Sequence, residues 1–412
     1  MANTGAKERS KLMTENEYAY FLYNIPGLGN KGIYSILGTG VTCRDIFNMD
    51  EKNLSLLVKE KTSKIKPAKE IIERRKTWNF EKEAEKLRAQ GIRFISACSD
   101  EFPERLRHIP DPPFAIYVKG RLPKPEIPSV SIVGARMCSD YGRFMSREFG
   151  KGLALAGVQV ISGMARGVDG ISQKAAIEAG GSSFGILGCG VDICYPEENR
   201  DVYNRICVNG GLISEYHPGT EPKPNLFPMR NRIISALADI VLVVEARQKS
   251  GTQITVDQAL EQGKEVLAVP GRVTDRLSDG CNFLISQGAG VALSVGDVLD
   301  RLWRGTAAGN NDDRTKEKNA DAPEEKNIVC GEKCRNDQND NEDDFGLEER
   351  RSIEDEIVDV VDIIPVSASS IMERLYEKEI TISVPELMGK LMDLTYKRLI
   401  IQDGVYYRKR IG

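Results

Sequence analysis

The chain has 412 residues, is 41% hydrophobic and carries a net charge of −4, which is enough apolar material for two or three domains with at least one large core. Its start, MANTGAKERSKLMTENEY, has no apolar stretch of the signal-peptide kind, and its most apolar run, IVLVVEA from Ile240, is far too short to span a bilayer. The expectation is a soluble, cytoplasmic protein without membrane contact. The charge itself excludes little, because residues 304–350 hold 14 acidic and 8 basic residues, a local −6 that leaves the rest at +2.

In chain order, residues 1–122 read as mostly helical from Glu15 onward, with proline-rich stretches towards the end. Within them YNIPGLGNKGIYSIL, residues 23–37, has the form of a helix-hairpin-helix, with Gly27 and Gly29 in a tight hairpin whose N–H groups can face phosphate. The same pattern serves purely structural, SAM-like helical elements, and the local charge is only weakly basic.

Residues 123–303 change character. Apolar runs begin at Ser129 (SVSIVGAR), Val158 (VQVISG), Ser182 (SSFGILG), Gly211 (GLISEY), Ile240 (IVLVVEA) and Glu265 (EVLAVPG), separated by helical spacing such as residues 141–156, 168–179 and 252–262. Continuous apolar strands alternating with helices predict a mostly parallel sheet covered on both faces, an α/β doubly wound, Rossmann-like domain. Residues 304–350 are rich in Asn, Asp, Glu, Lys and Gly, the composition of a disordered acidic linker. Cys330 and Cys334 lie there, but two ligands do not make a zinc site. Nine cysteines in all, without a repeated spacing, argue against a disulfide framework, and Cys189 and Cys194 read as reduced core thiols.

Residues 351–412 predict a winged helix: helical patterns over 353–363, 367–377 and 385–397, then a hairpin, LIIQDGVYYRK, turning at Asp403 and Gly404. A third helix followed by a wing is the layout of helix-turn-helix DNA binders. Glu386, Lys390, Asp393, Lys397 and Arg398 give that helix a mixed face, so duplex binding and protein interaction both stay open.

In a doubly wound sheet, ligands bind beyond the carboxyl ends of the strands. There the sequence places Gly134, Ala135 and Arg136; Ser162, Gly163, Arg166 and Gly167; Gly188 and Gly190; Glu215; Glu245; and Pro270 with Gly271. Ser250, Gly251 and Thr252 open the helix after the fifth predicted strand. Small residues let phosphate approach the backbone, helix N-termini supply free N–H groups, and arginine adds bidentate contacts. Tight strand-to-helix turns need glycine in any α/β fold, but several such clusters on one edge, two with arginine, favour an anion site. In PKPNLFPMRNRIISALAD, Lys223, Phe227, Arg230, Asn231 and Arg232 add an aromatic beside cations, which suits single strands whose bases stack while the backbone follows a basic groove. Cations in a first helical turn oppose the dipole and need partners, either phosphate or Asp169, Glu215 or Glu245 within the fold. No catalytic or metal site emerges: His108 and His217 have neither a nucleophile nor ligand spacing nearby.

The segments SIVGAR, SGMARGVDGISQKAA, GCGVDICYPEEN, FPMRNRII, VVEARQKSGTQIT and VLAVPG, then NFLISQGA from Asn282 and, upstream, FPERLRHIPDPPFAIYVKG, resemble the DprA/Smf family in order and spacing. The resemblance implies a Rossmann-like domain that binds single-stranded DNA without catalysis or cofactor. It also implies a homodimer and the loading of RecA recombinase onto incoming DNA in natural transformation. By the same resemblance, Gly134 and Arg136 match the family's glycine-x-arginine turn, Phe227 with Arg230, Asn231 and Arg232 its aromatic and RNR segment, and Ser250, Gly251 and Thr252 its SGT loop. Gln173 stands where the family usually has histidine. A different class, a nucleotide-binding or phosphoribohydrolase-like enzyme on the same fold, has a PGGxGTxxE motif. In SGTQIT, Ile254 and Thr255 stand where that chemistry requires a carboxylate.

Overall fold

The computed structural model describes residues 13–308, 352–361, 366–378, 380–403 and 406–409. Residues 309–350 of the predicted linker, with Cys330 and Cys334, and the predicted wing residue Gly404 lie outside them, while residues 304–308, expected as linker, continue the helix Val295–Ala308. The chain divides into two compact units, residues 1–308 and 309–412.

Each of the six apolar runs becomes a strand of one sheet. Among the described residues of the first unit the strands are β1 (Ile92–Ser96), β2 (Ala115–Gly120), β3 (Ser129–Val133), β4 (Gln159–Ser162), β5 (Ser183–Ile186), β6 (Gly211–Ser214), β7 (Ile240–Val243), β8 (Glu265–Ala268) and β9 (Gly290–Val291). They lie in the order β1-β2-β6-β5-β4-β3-β7-β8-β9. From β6 to β9 every pairing is parallel, whereas β1 runs antiparallel to β2 and β2 antiparallel to β6. The first two strands come from a stretch whose sequence reads as helix and proline-rich coil, and they extend the sheet beyond the predicted six.

Alternation along the strands feeds two cores, one per face. Val241 and Val243 of β7 join Ile233, Leu237, Val256 and Leu284, from the helices Leu226–Leu237, Gly251–Glu261 and Asp279–Ser286. Ile240 and Leu242 point the other way, with Val130, Ile132, Phe149, Leu153 and Ala176, against the helices Asp140–Leu155 and Val168–Glu178. The α/β doubly wound arrangement follows. Strands β4 to β6 step away from β3 on one side and β7 to β9 on the other, so the winding reverses at β3 and β7.

The N-terminal helices pack on the β1–β2 end of the sheet through Phe21, Leu22, Phe94, Phe114 and Tyr117. Between the helices Glu15–Tyr23 and Gly29–Leu37 the chain turns at Gly27 and Gly29, both with positive φ (80° and 61°) and open space beside them.

The second unit holds the helices Ile353–Val360, Ala368–Glu377 and Val384–Tyr396. Strands β10 (Val366–Ser367), β11 (Ile400–Asp403) and β12 (Tyr406–Lys409) form an antiparallel sheet in the order β10-β12-β11. Ile357, Ile371, Leu375, Leu387, Leu391, Leu394 and Tyr407 close its core. Among the described residues no helix is long and apolar enough to cross a membrane.

Candidate functional site

A cavity of about 510 Å³ opens at the reversal of winding, beyond the carboxyl ends of β3 and β7. The turn Gly134–Arg136 walls it on one side, the segment from Arg247 to Thr255 on another, and Phe227, Pro228, Arg230 and Asn231 on a third. Gly134, Gly163 and Gly167 allow these loops to interlock. At Gly167, whose φ is +73°, a Cβ would fall 2.2 Å from the Ala135 carbonyl oxygen.

Phe227 organises the charges. The Arg136 guanidinium lies 5.6 Å from the centre of its ring and that of Arg230 5.9 Å. Tyr195, itself exposed, packs 5.5 Å away with its ring tilted by 30°. Arg136 reaches solvent, whereas Arg230 is buried and held in place. Its Nη1 donates to the carbonyls of Gly163 (2.7 Å) and Ile186, and its Nε to Asn231 Oδ1 (3.0 Å). Burial pushes the Arg230 guanidinium down to about 10; Asp169 opposes that shift and Arg136 adds to it. Burial likewise raises the Asp169 carboxyl, against the pull of Arg230 and of the backbone N–H groups of Ala165 and Gly163. Asp169, which also lines the cavity, compensates Arg230 from within the fold, and the exposed Arg136 guanidinium over the same ring is left to meet an anion from solvent.

The helix Gly251–Glu261 supplies the third element. Ser250 occupies its N-cap position in extended conformation, yet its hydroxyl makes no capping bond, and Oγ is buried without a partner. Nothing lies within 4 Å of a Cβ built on Gly251. The N–H groups of Gly251 and Thr252 have no intrahelical acceptor, and positive potential accumulates at such an end. An uncapped helix start with open space beside it, lining a cavity that contains arginine, is an anion-binding arrangement.

The structure brings Gly134, Arg136, Phe227, Arg230, Asn231, Ser250, Gly251 and Thr252 together around this cavity. It does not bring the remaining predicted residues to its wall. Arg232 turns away, and its Nη2 donates to Glu215 at 2.7 Å and its Nε to the Asp111 carbonyl at 2.7 Å. Arg166 forms an exposed ion pair with Glu198. Ser162 is buried, its hydroxyl donating to the Ile132 carbonyl at 2.6 Å. Gly163 sits behind Arg230, where a Cβ would meet Nη2 at 2.4 Å. Lys223 is exposed beyond the rim, although its neighbour Pro224 lines the cavity.

Other candidates have structural partners. Glu245 accepts from the Ser139 N–H (2.8 Å) and hydroxyl (2.5 Å), closing the start of the helix Asp140–Leu155 instead of pairing with an arginine. Gln173, buried, accepts from the Met164 N–H and donates to the Phe184 carbonyl, so its amide ties its helix to β5. His217 meets the Tyr117 hydroxyl at 2.7 Å and His108 the Glu104 carboxylate. Cys189 is buried and Cys194 only partly so. Two side chains at the site were missed from sequence: Arg247, directly after the fifth apolar run, and Tyr195, within GCGVDICYPEEN. The cation beside a strand end was a readable signal for the first; nothing local signalled the second.

Residues 93–303 match the family model of DNA recombination-mediator protein A. The DNA processing protein DprA of Streptococcus pneumoniae is 39% identical over 205 residues, which are 50% of this chain and 72% of that protein. DprA of Bacillus subtilis is 39% identical over 216 residues, 52% of this chain and 73% of its own length. The X-ray structure of DprA from Streptococcus pneumoniae superposes with a TM-score of 0.61 at 32% identity, covering 70% of this chain and 98% of that one. With the family model spanning half the chain and these relatives matched over most of their length, the chain belongs to the DNA recombination-mediator protein A family.

Proposed function

We propose that the cavity holds single-stranded DNA independently of its sequence, and that the protein thereby protects incoming strands in the cytoplasm and loads RecA recombinase during natural transformation. The observation that carries this reading is the Phe227–Tyr195 aromatic pair flanked by Arg136 and Arg230 and by the uncapped start of the helix Gly251–Glu261. Phosphates meet guanidinium and N–H groups while bases stack on aromatic rings, a combination that suits flexible single strands and is tolerant of sequence. On this reading Arg136 is the mobile ionic contact, Arg230 the fixed one, and Ser250 Oγ a donor kept for the ligand.

The wider assembly is proposed on family membership. The Rossmann-like domain forms a homodimer, so that two pockets raise the effective concentration of DNA for a partner. The second unit serves as a winged helix, and the Gly27–Gly29 hairpin as an auxiliary backbone contact. The test measures binding of unrelated single strands and matched duplexes by fluorescence anisotropy across a salt series, with nucleotide hydrolysis assayed on the same preparation. Single strands should win regardless of sequence, with affinity falling steeply as salt rises. Equal affinity for duplex, salt-independent binding, or turnover of a nucleotide would overturn the reading. RecA loading is tested separately, by ATP hydrolysis of the cognate recombinase on strands coated with single-strand-binding protein; no stimulation by this chain would leave only DNA binding.

A further inference from the structure

Far from the cavity, where the N-terminal helices meet the β1 end of the sheet, two thiols face one another. Cys43 opens the short helix Cys43–Asn48 and is fully buried; Cys98, in the turn after β1, is partly exposed. Their sulfurs are 3.7 Å apart. We propose that Cys43 and Cys98 form a reversible redox pair, with Cys98 the point of attack on a low-molecular-weight disulfide and Cys43 the thiol that resolves it.

The surroundings divide these roles. Arg107 clamps the turn on either side of Cys98, donating to the carbonyls of Ala97 (2.6 Å) and Ser99 (2.9 Å), so a cation is fixed beside a partly accessible sulfur. The Cys98 thiol is lowered, first by its hydrogen bond with Cys43 and to a lesser degree by Ser96 and Arg107, against its burial and the Glu15 carboxylate. Cys43 is raised by that same bond and by burial, and therefore keeps its proton. Burial raises Cys138, Cys189, Cys194, Cys207 and Cys281, so among the described cysteines Cys98 is the one whose thiol is lowered.

In the first step the Cys98 thiolate attacks one sulfur of the small disulfide, forming a mixed disulfide and expelling one thiolate, which takes up a proton. Cys43, deprotonated towards Glu15, whose carboxylate lies within 4.8 Å of both sulfurs, then attacks Cys98 Sγ and expels the second thiol. Two protein thiols are oxidised and one external disulfide is reduced to two thiols. A disulfide brings the two sulfurs from 3.7 Å to about 2.05 Å. A metal site is the weaker reading of the same cluster, since Glu15 already accepts from the N–H groups of Cys43 and Arg44, and Arg107 places a positive charge nearby.

The test exposes reduced full-length protein to glutathione disulfide, followed by acid quench, alkylation and peptide mapping. Wild type should yield a crosslinked Cys43–Cys98 peptide that dithiothreitol removes. Cys43→Ser should stall with glutathione on Cys98, whereas Cys98→Ser should lose the crosslink and leave Cys43 unreacted. Absence of the wild-type crosslink, an outcome that needs no variant to fold, overturns the proposal. So does a Cys43→Ser protein without an adduct at Cys98, or stoichiometric binding of added zinc that blocks alkylation of both thiols.

Discussion

Arg230 and Arg232 differ by two positions on one helix, and a helix turns through roughly 200° over two residues. One guanidinium therefore faces the cavity while the other returns to Glu215 and Asp111 in the fold. Sequence announces both as cations needing partners, but the direction of each depends on where the helix lies against the sheet. The two should separate experimentally. Arg136→Ala, at the exposed position, should leave stability within about 0.5 kcal/mol and flatten the dependence of log affinity on log salt by about 0.7 for each phosphate that is no longer neutralised. Arg232→Ala, which leaves the buried Glu215 carboxylate without its cation, should cost roughly 3–5 kcal/mol in urea denaturation and leave that slope unchanged where the protein is folded. An unchanged slope in the Arg136 variant would remove it from the site. His217 predicts a pH effect of definite sign. Burial lowers its imidazole below 6.5, so the folded state resists a proton that the unfolded chain accepts. Its contribution is complete above pH 6.5 and is lost as pH falls through that value towards the lowered one, by at most about 1.4 kcal/mol per pH unit. His217→Gln should lose this dependence in melts recorded across that window; a variant as pH-sensitive as wild type would place the titration elsewhere.

At the scale of elements, the six central strands were legible because parallel strands buried on both faces leave continuous apolar runs. Strands β1 (IRFIS) and β2 (AIYVKG) were not, since each has a cation within it and is flanked by turn or proline-rich sequence. Strand β9 has only two residues, too few for any periodicity. Likewise the glycines after the strands announced turns, but not that the loop holding Gly167 presses on the backbone of the Arg136 turn. That packing makes the loop a support for the site. Gly167→Ala places a methyl group at a positive φ, against the Ala135 carbonyl, and should displace the turn. Affinity for single strands should fall while the salt slope stays near that of wild type, because no charge is removed. Anisotropy titrations at several salt concentrations separate this pattern from that of Arg136→Ala, and wild-type affinity would refute the support role.

On the scale of the whole molecule, the sheet sets where the chain can be cut. Strand β2 pairs with β6 through Tyr117 to Gly120, so a fragment beginning at residue 121 bares the β6 edge and the apolar side chains that β1, β2 and the N-terminal helices cover. Residues 1–308 form one compact unit, and that fragment should melt cooperatively and bind single strands as the full chain does. A 121–308 fragment should aggregate, since an uncovered strand edge templates association. Light scattering of both fragments tests this and reports the oligomeric state of the larger one; a well-behaved 121–308 protein would show that the first two strands are dispensable.

The same sheet constrains how the protein is made. Strand β3, which carries the Arg136 turn, pairs Val130 with Ile240 and Val133 with Val243, while β2 waits for β6. On the ribosome β1 can pair with β2 and β3 with β4, but the second edges of β2 and β3 must stay open until much later sequence has emerged, a condition that slows folding and invites aggregation. No nascent chain that stops short of β7 has all three walls of the cavity, so the proposed DNA site is completed only late in synthesis.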